Sequence, residues 1–285
     1  MKTGKRTRHA LRPERQDVQR TPGVRVCIVL PTYNEAPIIQ ETLARILKQG
    51  VSLPDAELHV LVVDDKSPDG TADLVRAFAK RHARVHLFSR EGAHGLGAAY
   101  IDGMQRALDT LRPDVIMEMD ADGQHDPKYL GSLVEAIRDG ADFAIGSRYV
   151  PGGSVPKGWG LSRKLLSRIA NLYARTLLFT FSVKDCTGGF RAISTKLLKR
   201  IDLTALHAKG YVFQVLLLDA ALRSNAIVRE VPIAFQERVR GESKMRPEEM
   251  VKGALLLLRL VSGRHLYSLI APSPRRTNLP AGALR

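Results

Sequence analysis

Short apolar runs alternate with amphipathic stretches through the first half of the chain. The runs are rich in Val, Ile and Leu, and each ends at a polar or glycine-containing loop. Such runs predict β-strands buried on both faces, and the stretches between them, with apolar residues at helical spacing, predict α-helices. The predicted strands cover residues 24–30, 57–63, 84–88, 114–119 and 143–146, and the predicted helices cover residues 37–49, 71–82, 95–111 and 128–139.

This alternation predicts an α/β fold with a mostly parallel central sheet covered by helices. Ligands of such sheets bind at the carboxyl ends of the strands, which lie along one edge. Two acidic clusters, Asp64-Asp65 and Asp120–Asp122, directly follow predicted strands. The sequence therefore predicts a binding site at this edge, lined by both clusters.

The second half of the chain is less regular. A Gly/Pro-rich loop over 150–160 precedes a predicted basic amphipathic helix over 161–181. The remaining predicted elements are a short strand within 184–193, a helix over 211–224, a strand over 226–235 and a helix over 248–260. Because no long linker interrupts it, we expect one domain over 24–265, with a disordered basic arm over 1–23 and a flexible basic tail over 266–285.

Composition is that of a globular protein, with 44% hydrophobic residues, but the formal net charge is +15. Residues 1–23 carry seven Lys or Arg against two acids, and residues 261–285 carry four against none. Basic ends of this kind suit a nucleic acid or a phospholipid surface, or only keep a chain soluble. Since no basic motif interleaved with aromatic residues occurs, we expect no nucleic-acid partner.

No segment resembles a membrane span or a secretory signal. The longest strongly apolar stretch is Gly253–Leu258, whereas a span needs about 20 apolar residues. The basic start of the chain lacks an apolar core region. Cys27 and Cys186 are far apart and no CxxC occurs, which predicts free thiols in a reducing compartment.

The segment Asp120-Ala-Asp122 places two carboxylates at the mouth of the predicted sheet, and Gln124 adds a neutral oxygen. Mg²⁺ prefers one or two carboxylates together with water and substrate phosphate. A solvated turn is the simpler interpretation of an isolated pair of acids, and His125 is an alternative ligand. The second acidic loop at a neighbouring strand favours a metal that bridges a diphosphate.

Basic residues stand where an anionic substrate needs them. Arg148 follows the fifth predicted strand, Arg163 begins the amphipathic helix, and Arg238 and Lys244 lie in a late polar loop. Each alone is ordinarily a solvated cation, but together they would surround the acidic loop. The glycine-rich segment 92–97 lacks the order of a P-loop or a dinucleotide fingerprint, and no GxSxG occurs, which disfavours ATPase, NAD-dependent and acyl-transfer chemistry.

Five segments form an ordered set: Pro31–Glu35, Val62–Thr71, Asp120–Gln124, Gly146–Tyr149 and Arg238–Lys244. This set resembles the inverting family-2 glycosyltransferases, and within them the polyprenol (dolichyl) phosphate mannose synthases. The resemblance covers about residues 24–260 and implies the GT-A fold, with three layers around a mostly parallel sheet.

The resemblance also implies a role for each matching residue. The guanosine of the donor would be held by Pro31, Tyr33, Glu35, Val63 and Asp65. The diphosphate would lie along Asp120, Ala121 and Asp122, and Mg²⁺ or Mn²⁺ would be ligated by Asp120, Asp122 and Gln124. Donor or acceptor phosphates would contact Arg148, Arg238 and Lys244, and the acceptor phosphate would contact Arg163. The catalytic set would be Asp122, Arg148 and Arg163.

A loop over residues 185–191 resembles the acidic, glycine-containing loop that lies near the transferred sugar in this family. Cys186 and Gly189 depart from the family's pattern, which weakens any role for Asp185.

The implied reaction is metal-dependent transfer of mannose from GDP-mannose to a polyprenyl (dolichyl-type) monophosphate, with inversion. The acceptor implies peripheral attachment to the cytoplasmic face of a membrane, with helix 161–181 at its surface and a membrane-anchoring subunit as a possible partner. One alternative is transfer of glucose or another sugar from a UDP- or GDP-sugar. The other is a non-catalytic protein that binds a nucleotide sugar or a nucleic acid.

Overall fold

The computed structural model describes residues 23–51, 53, 55–91, 95–206, 211–237 and 253–259. The strands are β1 (Val24–Thr32), β2 (Ala56–Asp64), β3 (Val85–Ser89), β4 (Val115–Glu118), β5 (Phe143–Ser147), β6 (Arg191–Ser194) and β7 (Val228–Pro232). The helices are α1 (Ile39–Val51), α2 (Thr71–Ala79), α3 (Leu96–Thr110), α4 (Leu130–Arg138), α5 (Leu161–Leu177), α6 (Thr195–Leu198) and α7 (Tyr211–Arg223). Residues 253–259 are also helical.

The seven strands form one sheet in the order β3-β2-β1-β4-β6-β5-β7. Strands β1 to β4 pair in parallel, and β7 pairs in parallel with β5. Strand β6 lies between β4 and β5 and runs antiparallel to both. The predicted α/β fold with a mostly parallel sheet is confirmed, and β4 and β5 are not neighbours because β6 separates them.

Alternate residues of β1 enter the cores on opposite faces of the sheet, as the two-residue repeat of a strand requires. Cys27 and Val29 pack with residues of α3 and α7. Val26, Ile28 and Leu30 pack with residues of α1, α2 and α4. Both sheet faces are therefore covered, and the polar site is confined to the edge where the strands end.

Several predicted helix boundaries differ from the structure, among them the ends of α1 and α5. Helix α1 continues through Gly50, where a side chain would meet Leu58: a Cβ at this glycine would lie 2.5 Å from Leu58 Cδ2. Helix α5 ends at Leu177 rather than at residue 181, because Phe179 adopts a left-handed φ of 49°.

The hydroxyl of Thr71 makes this residue the N-cap that the sequence predicts for α2. In the structure Gly70, with φ of 86°, takes this position. The Asp69 carboxylate accepts a hydrogen bond from Thr71 N, as expected of a turn that precedes a helix.

Within the described residues, both cysteines are free and buried, and no helix is long and apolar enough to cross a membrane. Burial raises the pKa of each thiol to about 12. Residues 1–22 of the predicted basic arm and the whole tail over 266–285 lie outside the described residues, so the predicted domain limits stay a prediction.

Candidate active site

The acidic loop after β4 is fixed by hydrogen bonds within the loop and by one hydrogen bond from α3. The Tyr100 hydroxyl donates to Asp120 Oδ1 at 2.9 Å. Within the loop, Gln124 N donates to Asp122 Oδ1 at 3.0 Å, and Asp120 N donates to His125 Nδ1 at 3.0 Å. The two carboxylates are thereby held at the carboxyl end of β4, where the sequence predicts a ligand site.

His125, at the end of this loop, is packed in the interior and anchors the loop. Its ring is only 2% exposed and stacks on Phe190 at 5.0 Å between centroids. Burial lowers the pKa of the imidazole to about 4, so it is neutral at ordinary pH and accepts at Nδ1. These contacts favour a structural role over the alternative interpretation of His125 as a metal ligand.

Gln124 both donates a hydrogen bond to the segment that follows β7 and accepts one from it. Its Nε2 donates to Gln236 O at 3.2 Å, and Gln236 N donates to Gln124 O at 3.0 Å. Because the donor end of the amide is engaged, Gln124 Oε1 is the end suited to a cation.

These oxygens fit Mg²⁺ or Mn²⁺ as one part of a ligand set. Two carboxylates and an amide oxygen are hard donors of the kind both ions prefer. Among the described residues, no three His, Cys, Asp or Glu side chains are grouped to hold a metal by themselves. The residues therefore fit a cation whose remaining ligands are water and phosphate.

The two acids of the second cluster, Asp64 and Asp65, make different contacts. Asp64 is fully buried and accepts from Ser67 N at 2.9 Å and from Ser67 Oγ at 2.6 Å, so it shapes the loop after β2. Asp65 pairs with Arg90 at 2.9 Å, and Arg90 also pairs with Asp102 at 3.0 Å. Asp65 is the more accessible of the two acids, at 6% exposed against 0% for Asp64, and the predicted donor contact stays a prediction for Asp65.

The other residues predicted to hold the donor base lie around the end of β1. Tyr33 is 42% exposed. Glu35 is partly buried, and its backbone N–H donates to Thr71 Oγ1 at 3.0 Å. Pro31 is partly buried and is the register partner of Val63. Val63 is fully buried in the core with α3, so the structure gives it no surface for a nucleotide.

Arg148 is held by Asp185. Its Nε and Nη2 donate to the two carboxylate oxygens at 2.7 Å each, and Nη2 also donates to Thr187 Oγ1 at 2.9 Å. Burial opposes the charge of Asp185, but Arg148 outweighs it and lowers the pKa of this carboxyl. Nη1 makes no hydrogen bond to any residue that the structure describes, and the Arg148 side chain is 10% exposed.

Arg163, in the first turn of α5, is connected to the acidic loop through aromatic rings. Its guanidinium lies 4.1 Å above the ring of Trp159. Trp159 meets Phe235 edge-on at 5.9 Å, and Phe235 meets His125 at 5.4 Å. Arg163 is exposed, as the prediction of a phosphate contact requires.

Arg238 and Lys244 lie outside the described residues. The segment that leads to them is bonded both to the acidic loop, through Gln236, and to the loop before α5. In the second of these contacts, Gly158 N donates to Glu237 Oε1 at 2.9 Å.

Sequence reasoning missed two residues that contact the predicted site. Arg90 directly follows β3, so a search of every strand end for charged residues would have found it. Tyr100 lies on the apolar face of a helix, where an aromatic residue ordinarily indicates core packing.

Residues 27–202 match the model of glycosyl transferase family 2, which is more than half of the chain. The chain belongs to this family. It is 45% identical over 225 residues to the polyprenol monophosphomannose synthase of Mycolicibacterium smegmatis, which covers 79% of this chain and 82% of that protein. It is 44% identical over 222 residues to the undecaprenyl-phosphate mannosyltransferase of Micrococcus luteus, covering 78% and 88%.

Solved structures with lower identity share the fold. The mannosyl-3-phosphoglycerate synthase of Rubrobacter xylanophilus has a TM-score of 0.62 at 21% identity, and covers 88% of this chain and 76% of that one. The glucosyl-3-phosphoglycerate synthase of Mycobacterium tuberculosis, in complex with Mn²⁺ and uridine-diphosphate-glucose, has a TM-score of 0.58 at 22% identity, and covers 85% and 80%. The predicted GT-A fold is confirmed.

Proposed function

We propose that this chain transfers mannose from GDP-mannose to a polyprenyl monophosphate, with inversion at the anomeric carbon. The observation that carries the proposal is the acidic loop, which keeps Asp120, Asp122 and Gln124 together at the end of β4. It does so in a chain 45% identical over 225 residues to a protein named polyprenol monophosphomannose synthase.

The donor binds along the edge of the sheet formed by the ends of β1, β2 and β4. Guanosine contacts Pro31, Tyr33, Glu35 and Asp65, and the diphosphate passes the backbone of Ala121. Asp120, Asp122 and Gln124 would hold Mg²⁺ or Mn²⁺, and the Mn²⁺ in the complex of the glucosyl-3-phosphoglycerate synthase supports a divalent cation in general. When bound, such a cation neutralises charge on the diphosphate as it leaves.

The acceptor phosphate needs cations more than it needs a base, because a phosphate monoester is already ionised near neutral pH. The chain must instead overcome repulsion between this phosphate and the donor diphosphate. Arg148 Nη1 and the exposed guanidinium of Arg163 supply positive charge, with Arg238 and Lys244. Positioning and electrostatics then contribute most of the rate acceleration.

The reaction is a direct displacement. A phosphate oxygen of the acceptor forms a bond to the anomeric carbon of mannose, and the bond from that carbon to the β-phosphate oxygen of GDP breaks. GDP leaves with the electron pair. Attack on the face opposite the leaving group converts the α-linked donor into a β-linked polyprenyl phosphate mannose.

The surface of α5 suits attachment to the membrane that holds such an acceptor. Its apolar face consists of side chains that are 45–86% exposed: Leu161, Leu165, Leu166, Ile169 and Leu172. Lys164, Arg168 and Arg175 lie on the same helix. Tyr173 ties α5 to the helical residues 253–259 by donating to Ala254 O at 2.8 Å, and Leu255, Leu256 and Leu258 there are also exposed.

Apolar side chains exposed in such number on a basic helix are typical of a helix that lies in the headgroup region of a bilayer. We place the enzyme on the cytoplasmic face of the membrane, bound by this helix or delivered by a membrane-anchoring subunit.

The proposal is tested by incubating the full chain with radiolabelled GDP-mannose or UDP-glucose, a polyprenyl monophosphate in detergent, and Mg²⁺ or Mn²⁺. The expected result is label in the lipid fraction from GDP-mannose and little from UDP-glucose. Transfer mainly from UDP-glucose would replace mannose with glucose in the proposal. No lipid-linked label from either donor would contradict it.

A further inference from the structure

We infer that Tyr100 is a positioning residue for the proposed metal site, acting through Asp120. Its hydroxyl donates to Asp120 Oδ1 at 2.9 Å, and its ring is completely buried. The inference rests on the proposed function, because it concerns the cation that Asp120 would help to hold.

The position of Tyr100 is fixed by packing on two sides. Its ring stacks on Phe213 of α7, with centroids 5.9 Å apart and planes 7° apart. Three residues later on the same face of α3, Gly103 allows the helix to lie close to the sheet: a Cβ there would be 2.5 Å from Val29 Cγ1 and 2.8 Å from Val63 Cγ2. The close approach of α3 and the stacked ring together hold the hydroxyl at the end of β4.

The hydroxyl selects one orientation of the Asp120 carboxylate. Rotation of an aspartate carboxylate about its last torsion is broad and weakly restrained, and this side chain is 34% exposed. The bond from Tyr100 fixes Oδ1, and Oδ2 then lies beside the backbone of Gly189, where a Cβ would be 3.7 Å away. The same oxygen lies 3.9 Å from Nδ1 of His125, the atom that accepts from Asp120 N. The Tyr100 hydroxyl and the His125 ring therefore lie beside the two oxygens of the carboxylate that would help to hold a cation.

Hydrogen bonds to metal-ligating carboxylates orient the ligand, and their loss typically weakens metal affinity by about 10–100-fold. We therefore expect Tyr100→Phe, which removes one oxygen and keeps the ring, to weaken Mn²⁺ binding about tenfold. In the transfer reaction, the Mn²⁺ concentration for half-maximal rate should rise by a similar factor, while kcat at saturating Mn²⁺ stays within about twofold.

The experiment measures Mn²⁺ binding to the full chain with GDP by electron paramagnetic resonance, for the native protein, Tyr100→Phe and the control Tyr173→Phe. The control removes a hydroxyl whose bond, to Ala254 O, joins α5 to residues 253–259 instead of to the acidic loop. We expect native affinity in the control. Equal affinity of native protein and Tyr100→Phe would overturn the inference, and so would a Tyr100→Phe protein that fails to fold.

A double-mutant cycle separates an effect through Asp120 from a general loosening of the site. If Tyr100 acts through Asp120, the added Tyr100→Phe change should leave the residual Mn²⁺ affinity of Asp120→Ala unaltered. A further tenfold loss in that background would contradict the inference. Native protein that binds no Mn²⁺ would contradict the proposed metal site itself, and the inference with it.

Discussion

The guanidinium of Arg148 and the carboxylate of Asp185 form a two-pronged ion pair, with both hydrogen bonds at 2.7 Å. The side chains are 10% and 0% exposed. The pair joins the loop after β5 to the loop before β6, and Gly188 N donates to the same carboxylate at 3.0 Å. Glu230 supports this arrangement, since its carboxylate accepts from Asp185 N at 2.9 Å. Asp185 therefore has a structural role: it holds Arg148 and fixes the loop before β6.

Removing the charge of Asp185 should cost considerable stability. Asp185→Asn leaves the buried Arg148 charge without its counter-ion, and such a loss typically costs about 3–5 kcal/mol of unfolding free energy. The matched control is Glu57→Gln, whose pair with Arg25 is 41–43% exposed and should contribute less than about 1 kcal/mol. Urea unfolding followed by circular dichroism measures both. Similar losses of unfolding free energy in the two variants would mean that burial does not make the Arg148–Asp185 pair more important for stability than an exposed pair.

The acidic loop should be needed for turnover but not for folding. Asp122→Asn keeps an oxygen for the hydrogen bond from Gln124 N and removes the charge. We expect transfer to fall at least about a hundredfold, as for loss of one electrostatic group at a reacting centre, with an unchanged melting temperature. Asp122→Ala and treatment of the native protein with EDTA should abolish transfer. Asp109→Asn, an exposed position near the end of α3, is the control. Full activity after exhaustive metal removal would contradict the metal role.

Arg163 should matter to the acceptor and not to the donor. Its exposed guanidinium contributes little to stability, so Arg163→Ala should melt normally. A lost charge-assisted contact to phosphate should lower kcat/KM for the polyprenyl phosphate about tenfold or more, with the KM for GDP-mannose unchanged. Lys244→Ala should behave alike. Arg81→Ala, exposed beyond the far end of α2, is the control. Native kinetics in both test variants would contradict the proposed contacts of Arg163 and Lys244 with phosphate.

The apolar face of α5 should bind anionic bilayers. Cosedimentation with anionic vesicles should be strong at low salt, weaker at high salt, and slight with neutral vesicles, since each Lys or Arg near such a surface is worth about 1 kcal/mol. Replacing Leu165 and Leu166 by Ser should reduce binding, whereas Ile227→Ser, 57% exposed just before β7, should not. Deleting residues 1–23 should weaken binding but leave catalysis on detergent-solubilised acceptor.

If the protein bound anionic vesicles at neither salt concentration, attachment to the membrane through α5 would be contradicted. A membrane subunit would then be the better explanation of how the enzyme reaches its lipid.

The sequence predicts β1, β2, β4 and β5 well because each contains a continuous apolar run, and it predicts the acidic loop because that loop directly follows β4. The direction of β6 was not predictable, since a strand of four residues carries no signal for the neighbour it pairs with. The contact of Tyr100 with Asp120 and the pair between Arg148 and Asp185 both depend on packing between distant segments. Val63 matches a motif position for which the resemblance implies contact with the donor, but its side chain is enclosed in the core. A match in sequence does not show whether a side chain is accessible.

Transfer of mannose to a lipid phosphate is tested by comparing two acceptors with one donor. The fold neighbours include a mannosyl-3-phosphoglycerate synthase, whereas the curated relatives are named for polyprenyl lipids. The native chain, radiolabelled GDP-mannose and Mn²⁺ are incubated with equal concentrations of polyprenyl monophosphate and 3-phosphoglycerate, and the lipid and water-soluble products are separated and counted. We expect label in a lipid product, with a β-linked mannosyl phosphate as determined by nuclear magnetic resonance. Label in mannosyl phosphoglycerate instead, or an α-linked lipid product, would contradict the proposed reaction.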